Sequence, residues 1–265
     1  GIEIFDIFPA VLAVDEFRNQ IHRAGAVQGH QRDDVLETIR PGFFFSGMKS
    51  PKIAQDFGCT PGAPGADNED MKITIVLCHP KAGSFNHAIA ETAASALRER
   101  GAAVTLHDLY AEGFDPLYTA AELERGAVLP PEIEAQCREI EAADGVVIVH
   151  PNYWGRPPAM LCGWVDRVVR QGRAYRFVSD GKGGGRPEGL LKAKAAVVFT
   201  TANTPDAVDQ ALYGDPLEVH WTKVVFGLCG VPSTRRSFSP VITSTAAQRE
   251  TWLREVREQV LAKLA

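Results

Sequence analysis

The chain has 265 residues, of which 45% are hydrophobic, 8% aromatic and 23% charged. These proportions are those of an ordinary globular protein, and they exclude a disordered chain, a collagen-like repeat and a small disulfide scaffold. The net charge of −5 belongs to the first 70 residues, because the remainder carries equal numbers of acidic and basic side chains. We do not expect a domain without net charge to bind nucleic acid.

Hydropathy and cysteine content indicate where in the cell the protein is expected. No apolar run approaches the roughly 18–20 residues that span a bilayer, so we do not expect an integral membrane protein. The five cysteines are odd in number and form no CxxC pair, which is typical of reduced thiols in a cytoplasmic protein. The histidines show no spacing typical of metal ligands, and we expect no metal site.

A domain boundary is predicted near residue 70. Cys59–Asp70 is rich in glycine, proline and acidic residues and has no apolar periodicity, as in a linker. Residues 1–70 show only weak helical patterning. We interpret them as an N-terminal extension that is poorly packed or not part of the native domain. Residues 71–265 are expected to fold and to bind a ligand without it.

From Met71 onward, apolar strands alternate with amphipathic helices. In chain order, the pattern predicts strand Lys72–Cys78, helix His87–Arg100, strand Val104–Asp108, helix Glu132–Ala143, strand Gly145–His150, helix Ala159–Arg170, strand Ala195–Thr201, helix Leu217–Leu228, strand Ser233–Phe238 and helix Ala246–Leu264. Continuous apolar strands between such helices indicate a parallel sheet. We therefore predict a doubly wound five-stranded α/β fold of the flavodoxin-like type, with strand order 2-1-3-4-5 and helices on both faces.

Ligands of such sheets bind beyond the carboxyl ends of the strands, which directs attention to three loops. The first, His79–Asn86, combines cationic, hydroxyl and amide side chains just before a helix. Free N–H groups and the helix dipole suit a phosphate there. The alternative is that Ser84 or Asn86 only caps the helix.

The second and third loops carry aromatic and polar side chains. Tyr153 and Trp154 follow the third strand, where a planar ligand beside them would explain two adjacent aromatics. The alternative is packing of both rings on a neighbouring loop. The third loop, Thr200–Pro205, presents hydroxyl and amide groups, and by itself it could be a polar turn.

Four motifs in this order carry a family resemblance: the SFN of His79–Asn86, YWGRPPAMLCGWVDRV at Tyr153–Val168, TT at Thr200–Thr201, and GDPLEVHW with FGLCGV in Gly214–Val231. With them, residues 71–265 resemble the flavodoxin-like NAD(P)H:quinone oxidoreductase family. This family includes quinone reductases and the modulator-of-drug-activity and potassium-efflux ancillary flavoproteins. The resemblance implies a flavin enzyme, a homodimer and an active site at the subunit interface.

The resemblance also implies roles for individual residues. The flavin phosphate would contact the first loop, at His79, Lys81, Ser84, Phe85 and Asn86. The flavin ring would contact Pro151, Asn152, Tyr153, Trp154 and Gly155, together with Thr200, Thr201 and Asn203. Two aromatic residues, Tyr175 and Phe177, would reach over the partner's site. FMN is expected as the cofactor, with FAD as the alternative.

The implied activity is hydride transfer from NADPH or NADH, through flavin N5, to a quinone-like acceptor. The alternative is a regulatory or electron-transfer subunit with secondary oxidoreductase activity. The sequence departs from the eukaryotic members at a tyrosine–histidine charge relay. Asp206 or Ala207 stands near the tyrosine position and Tyr213 at the histidine position, so the relay is absent or replaced by Tyr213 alone.

The segment from Arg156 to Lys192 holds a surplus of arginine and lysine over acidic residues. Guanidinium groups suit phosphate recognition, so the surplus predicts a preference for NADPH over NADH. The alternative is that these side chains form salt bridges or lie on a solvated helix face. Within the segment, Gly181–Gly185 is interpreted as a flexible hairpin or lid.

Overall fold

The structure is a computed structural model that describes residues 71–124, 126–179, 181 and 184–265. The interpretation of residues 1–70 as an extension therefore lies outside the described residues. In the described part of the chain, we find no helix whose length and apolar character would allow it to cross a membrane.

Five parallel strands form the central sheet, in the order β2-β1-β3-β6-β7. In chain order the strands are β1 (Lys72–Leu77), β2 (Ala103–Asp108), β3 (Gly145–Pro151), β4 (Tyr175–Ser179), β5 (Gly185–Gly189), β6 (Ala195–Thr201) and β7 (Ser233–Phe238). The strand numbers differ from the predicted 2-1-3-4-5 because β4 and β5, which pair with each other as a separate antiparallel hairpin, come between β3 and β6 in the chain. Counted without the hairpin, the five sheet strands follow the order 2-1-3-4-5. Their exposed, charged sequence has none of the apolar continuity of the sheet strands.

The described residues form six longer helical segments, α1 (Phe85–Arg98), α2 (Pro131–Ala142), α3 (Ala159–Val168), α4 (Asp206–Tyr213), α5 and α6 (Ala246–Leu264). A short 3-10 helix lies at Ala120–Leu123. Helix α5 consists of an α-helical turn at Pro216–Glu218, a π-helical stretch at Val219–Val225 and a second α-helical turn at Phe226–Cys229. Helix α4 was not predicted, because all its residues are at least partly exposed and it lacks a core-facing apolar face.

Two apolar clusters form the core of the domain. Successive strand residues alternate between them, as the two-residue period of a strand requires. Val147 and the strand residues on the same face of the sheet pack with side chains of α1 and α6, such as Val256. Ile148 and its equivalents pack with side chains of α2, α3 and α5, such as Trp221. Burial of these apolar surfaces is the main force that stabilises the fold.

A histidine on β2 lies between two carboxylates. Nδ1 of His107 is 3.0 Å from Oε1 of Glu112, and Nε2 is 3.0 Å from Oε2 of Glu139. Partial burial disfavours the charged imidazole, but the hydrogen bonds and charges of Glu139 and Glu112 outweigh it and raise the pKa of His107. The protonated ring therefore stabilises the folded chain.

We expect His107→Gln to reduce the pH dependence of stability. Because the folded-state pKa of His107 lies above its unfolded value, its contribution is fully present below about pH 6.5 and is lost as the pH rises through the folded pKa. Urea unfolding at about pH 6 and about pH 9 should show a larger loss of stability in the wild type than in the variant. Solvent screening keeps the difference at about 1 kcal/mol or less. Parallel pH profiles for the two proteins would contradict this assignment.

Candidate functional site

A cavity of about 440 Å³ opens at the carboxyl ends of β1, β3 and β6. It is lined by His79, Lys81, Gly83, Ser84, Phe85, Asn86, Pro151, Asn152, Tyr153, Thr201, Ala202, Asn203, Val241 and Arg249. Ten of these residues are among those for which the family resemblance implied flavin contacts. The three loops come together because parallel strands end at the same edge of the sheet.

The loop after β1 leads directly into α1. Gly83 has a φ of 66°, a left-handed conformation that glycine adopts without strain. Ser84 is the N-cap of α1, and its hydroxyl is bonded to the ring of His87 rather than to the helix. His87 and Ala88 donate their backbone N–H groups to the carbonyl of Ser84, so the N–H groups of Phe85 and Asn86 and the positive end of the helix dipole are available to an anion in the cavity.

Two buried polar side chains join α1 to β6. Asn86 is 3% exposed, and its Nδ2 donates a hydrogen bond to Oγ1 of Thr201 at 2.9 Å. This bond crosses the floor of the cavity and fixes the first loop relative to the third. Buried hydrogen bonds of this kind are costly to break, because each partner would be left unsatisfied.

The first loop also holds an uncharged imidazole. Burial lowers the pKa of His79, helped by the nearby His87 and Lys81, so the ring is neutral near pH 7. Its Nδ1 lies 3.1 Å from the backbone nitrogen and 3.2 Å from the backbone oxygen of Lys81. These contacts fix the imidazole within the loop, and the ring lines the cavity.

The loop after β3 is a tight turn that presents an aromatic ring to solvent. Trp154 and Gly155 have φ values of 59° and 71°, and the amide of Gly155 donates to Oδ1 of Asn152 at 2.9 Å. Trp154 is 97% exposed, so the alternative that both rings pack on a neighbouring loop does not hold for this residue. A bulky residue in the left-handed region costs energy, and such strain is concentrated at functional sites.

A neutral histidine at the end of β3, His150, stabilises the loop that follows this strand. His150 is fully buried, and burial lowers its pKa to about 3. Its Nδ1–H donates to the carbonyl oxygen of Pro151 at 2.8 Å, and its Nε2 accepts from Nε1 of Trp221 at 2.8 Å. The amide of Asn152 donates to the carbonyl of Thr201 at 2.7 Å. These bonds fix the backbone of the second loop against the third.

The two threonines at the end of β6 have different surroundings. Thr201 lines the cavity, whereas Thr200 is completely buried and its Oγ1 accepts a hydrogen bond from Nη1 of Arg235 at 2.7 Å. Adjacent strand residues point to opposite faces, which is why only one of the pair reaches the cavity. Asn203 connects this loop to the next, since its Oδ1 accepts from the amide of Ile242 at 3.1 Å.

Four lining residues were not among those named from the sequence. Gly83 and Ala202 lie inside the predicted loops, but Val241 and Arg249 come from the segment after β7 and from α6. The guanidinium carbon of Arg249 lies 5.7 Å from the centroid of the Phe85 ring, and its Nε donates to Oγ of Ser244 at 2.8 Å. Local sequence contains no signal for this arginine, because it reaches the cavity only through packing of α6.

Several other sequence-derived site residues lie outside the cavity. Trp154 and Gly155 form the exposed turn beside it. Tyr213, the candidate proton relay, ends α4 and is 66% exposed. The rings of Tyr175 and Phe177 make an edge-to-face contact on β4, and Phe177 is 55% exposed. Tyr213, Tyr175 and Phe177 do not line the cavity of their own chain in the described structure.

Four basic side chains of the Arg156–Lys192 segment form ion pairs, whereas Arg156, Arg170 and Arg186 form none within the described structure. The pairs are Arg167–Glu122 at 3.0 Å, Arg173–Glu134 at 2.6 Å, Arg173–Glu141 at 2.5 Å, Arg176–Glu188 at 2.7 Å and Lys192–Asp144 at 3.5 Å. For these four side chains, the pairs favour the salt-bridge alternative over recognition of an additional phosphate. Lys182 lies outside the described residues.

A parallel five-stranded sheet with a cavity at the carboxyl ends of its strands is typical of the α/β class of proteins. Residues 71–264 match the family model described as flavodoxin-like fold. The chain belongs to this family.

Individual relatives agree with this assignment. The chain is 32% identical over 203 residues to ribosyldihydronicotinamide dehydrogenase (quinone) of Rattus norvegicus, which covers 65% of this chain and 84% of the relative. It is 35% identical over 124 residues to NAD(P)H dehydrogenase (quinone) 1 of the same species, covering 40% of this chain and 45% of the relative, so it spans about half of that protein. The NAD(P)H:quinone oxidoreductase of Methanothermobacter marburgensis superposes with a TM-score of 0.60 at 26% identity, covering 73% of this chain and 98% of that one.

Proposed function

We propose that the chain is a flavin-dependent oxidoreductase that uses NADPH or NADH to reduce a quinone or a similar acceptor. The cavity carries this proposal, because it combines an anion site at the start of α1 with polar groups from the ends of β3 and β6. The names of the relatives, which are quinone dehydrogenases and quinone oxidoreductases, support it.

The donor groups of the cavity fit FMN. Lys81, Ser84 and the first turn of α1 would hold the phosphate, since they offer N–H, O–H and a positive charge. Asn152, Thr201 and Asn203 would contact the polar edge of the ring. No acidic side chain occurs among the described lining residues, so nothing in the lining repels an anionic cofactor.

Bound flavin supplies hydride chemistry at its N5 atom, and the protein chiefly binds and orients it. The backbone of the Pro151–Gly155 loop is held rigid by His150 and by the Asn152–Thr201 bond. His79 lines the cavity, and because burial lowers its pKa, the ring would contact the cofactor without adding charge. Tyr213 has no place in this proposal, because its exposed ring lies outside the cavity.

We also propose that the protein is a homodimer. Large apolar side chains that are more than half exposed include Leu117, Leu123, Val128, Trp154 and Phe177. Exposed apolar surface of this kind marks protein interfaces. In a dimer, Tyr175 and Phe177 could reach the cavity of the partner subunit, which their own chain does not allow.

We also propose that helices cover both faces of the sheet and that the protein is cytoplasmic. The two core clusters, each with its own set of helices, support helices on both faces of the sheet. A cytoplasmic location is supported by buried thiols such as that of Cys78, whose pKa burial raises to about 12, which leaves it protonated and inert.

Trp154→Ala is expected to weaken flavin binding without affecting the fold. The exposed ring contributes little to folding, so the free energy of unfolding should change by no more than about 0.5 kcal/mol. Lost contact with the flavin should cost about 1–2 kcal/mol of binding, measured by quenching of flavin fluorescence.

The matched control is Trp252→Ala, which removes a 5% exposed ring and should destabilise the fold by about 3–5 kcal/mol. Unchanged flavin affinity in Trp154→Ala would show that the turn has no role in the site.

Purification and kinetics test the function directly. The purified protein should be yellow from bound flavin. NAD(P)H should bleach it by reducing the flavin, and menadione should restore the colour rapidly by reoxidising it. Bleaching without rapid reoxidation by quinones would favour the regulatory or electron-transfer alternative. A protein that neither retains nor binds FMN would contradict the proposal.

A further inference from the structure

Three polar side chains form a continuous path from the cavity to the end of β2. Oγ of Ser84, which lines the cavity, is 2.8 Å from Nδ1 of His87. Nε2 of the same ring is 3.1 Å from Oδ2 of Asp108. Asp108 is itself fixed, because its Oδ1 accepts hydrogen bonds from the amides of Tyr110 and Ala111, each at 3.2 Å.

The charge of the His87 ring decides where Ser84 directs its proton. A carboxylate only accepts hydrogen bonds, so Nε2 carries a proton toward Asp108. In the neutral ring Nδ1 is then an acceptor, the Ser84 hydroxyl donates to it, and only lone pairs of Oγ face the cavity. In the charged ring Nδ1–H donates to Oγ, and the Ser84 proton is free to bond a ligand.

We propose that His87, held by Asp108, is a positioning residue that couples the binding of a phosphate group to the uptake of one proton. This inference rests on the proposed function, in which the phosphate of FMN occupies the start of α1. Ser84 can donate to a phosphate oxygen and keep its hydrogen bond to His87 only when Nδ1 carries a proton. One proton moves from solvent to Nδ1, the Ser84–His87 hydrogen bond reverses its direction, and no other covalent bond changes.

Among the described ionisable groups near His87, Asp108 is the partner of its ring, and the others do not take this place. The ring of His79, on the loop after β1, lies edge-on with its centroid 6.3 Å from that of His87, and it is held neutral. Lys81 is an exposed cation on the same loop, and Glu91 is exposed one helical turn further along α1. Asp108, from β2, makes the ion-pair contact with the ring and compensates its charge.

The sign of the pH dependence follows from linkage. Because proton uptake and phosphate binding favour each other, affinity is highest where His87 is charged and falls as the pH rises. One coupled proton lowers the affinity by up to about tenfold per pH unit. Riboflavin, which has no phosphate, should show no such dependence.

The number of protons taken up on binding is measured by isothermal titration calorimetry of the full-length apoprotein. The titration is repeated in two buffers that differ in their enthalpy of ionisation. At about pH 7.5, where a phosphate monoester is largely dianionic, we expect uptake with FMN and none with riboflavin. His87→Asn places an amide that cannot change its charge near Ser84. It should abolish the uptake and flatten the pH dependence of FMN affinity. His107→Gln, a histidine on β2 paired with glutamates away from the cavity, should retain both.

The outcomes separate this inference from the proposed function. Equal proton uptake with FMN and riboflavin in the wild type, or equal uptake in wild type and His87→Asn, would overturn the role of His87 and leave the flavin function intact. The first comparison needs only wild-type protein, so it does not depend on the folding of a variant. Failure of the wild type to bind FMN would overturn the proposed function and the inference with it.

Discussion

Arg167→Met is expected to lower the free energy of unfolding by about 3–5 kcal/mol, because it leaves a buried carboxylate without its cation. Arg167 and Glu122 have side chains that are only 4% and 2% exposed, and their Nε and Oε1 atoms are 3.0 Å apart. Nη1 of Arg167 also donates to the carbonyl of Asp115 at 2.6 Å. Burial disfavours the ionised form of Glu122, but the bonds from Arg167 and Thr119 outweigh it and lower its pKa.

The matched control for this variant is Arg138→Met. Arg138 is 75% exposed and pairs with Glu134 one helical turn away, so its loss should cost no more than about 0.5 kcal/mol. Adding Glu122→Gln to Arg167→Met removes the stranded charge and should recover part of the stability. Urea unfolding monitored by circular dichroism measures all three. A cost below about 1 kcal/mol for Arg167→Met would show that the pair is not a determinant of stability.

Asn86→Asp is expected to weaken FMN binding by about 30- to 150-fold at neutral pH. The change is nearly isosteric, and Thr201 can donate to the new carboxylate, but an unpaired carboxylate at this 3% exposed position also lowers the free energy of unfolding. A negative charge in the same cavity as the phosphate costs about 2–3 kcal/mol at an effective dielectric constant of about 20.

Riboflavin provides the internal control for Asn86→Asp. Because it carries no phosphate, its affinity should fall far less than that of FMN. Equilibrium titration of flavin fluorescence with both ligands measures the two losses in one folded protein. Equal losses for FMN and riboflavin would place the phosphate elsewhere and contradict the assignment of the anion site to the start of α1.

Local sequence was sufficient to predict the five sheet strands and the three loops that surround the cavity. Apolar runs such as that at β3 are buried along their whole length, so they stand out from their surroundings without any knowledge of distant contacts. Once the strands were parallel, their carboxyl ends had to meet at one edge of the sheet. That geometry is why ten of the residues named from the sequence line one cavity.

The tertiary structure decided what depends on contacts between distant parts of the chain. It placed Arg249 at the cavity through the packing of α6, and it separated Thr201 from Thr200 by the direction of neighbouring side chains. It also joined His87 to Asp108 and paired four basic side chains of the Arg156–Lys192 segment with carboxylates. Periodicity records which residues face the core, but it does not record which distant side chain meets them there, because that depends on how helices and loops pack over the sheet.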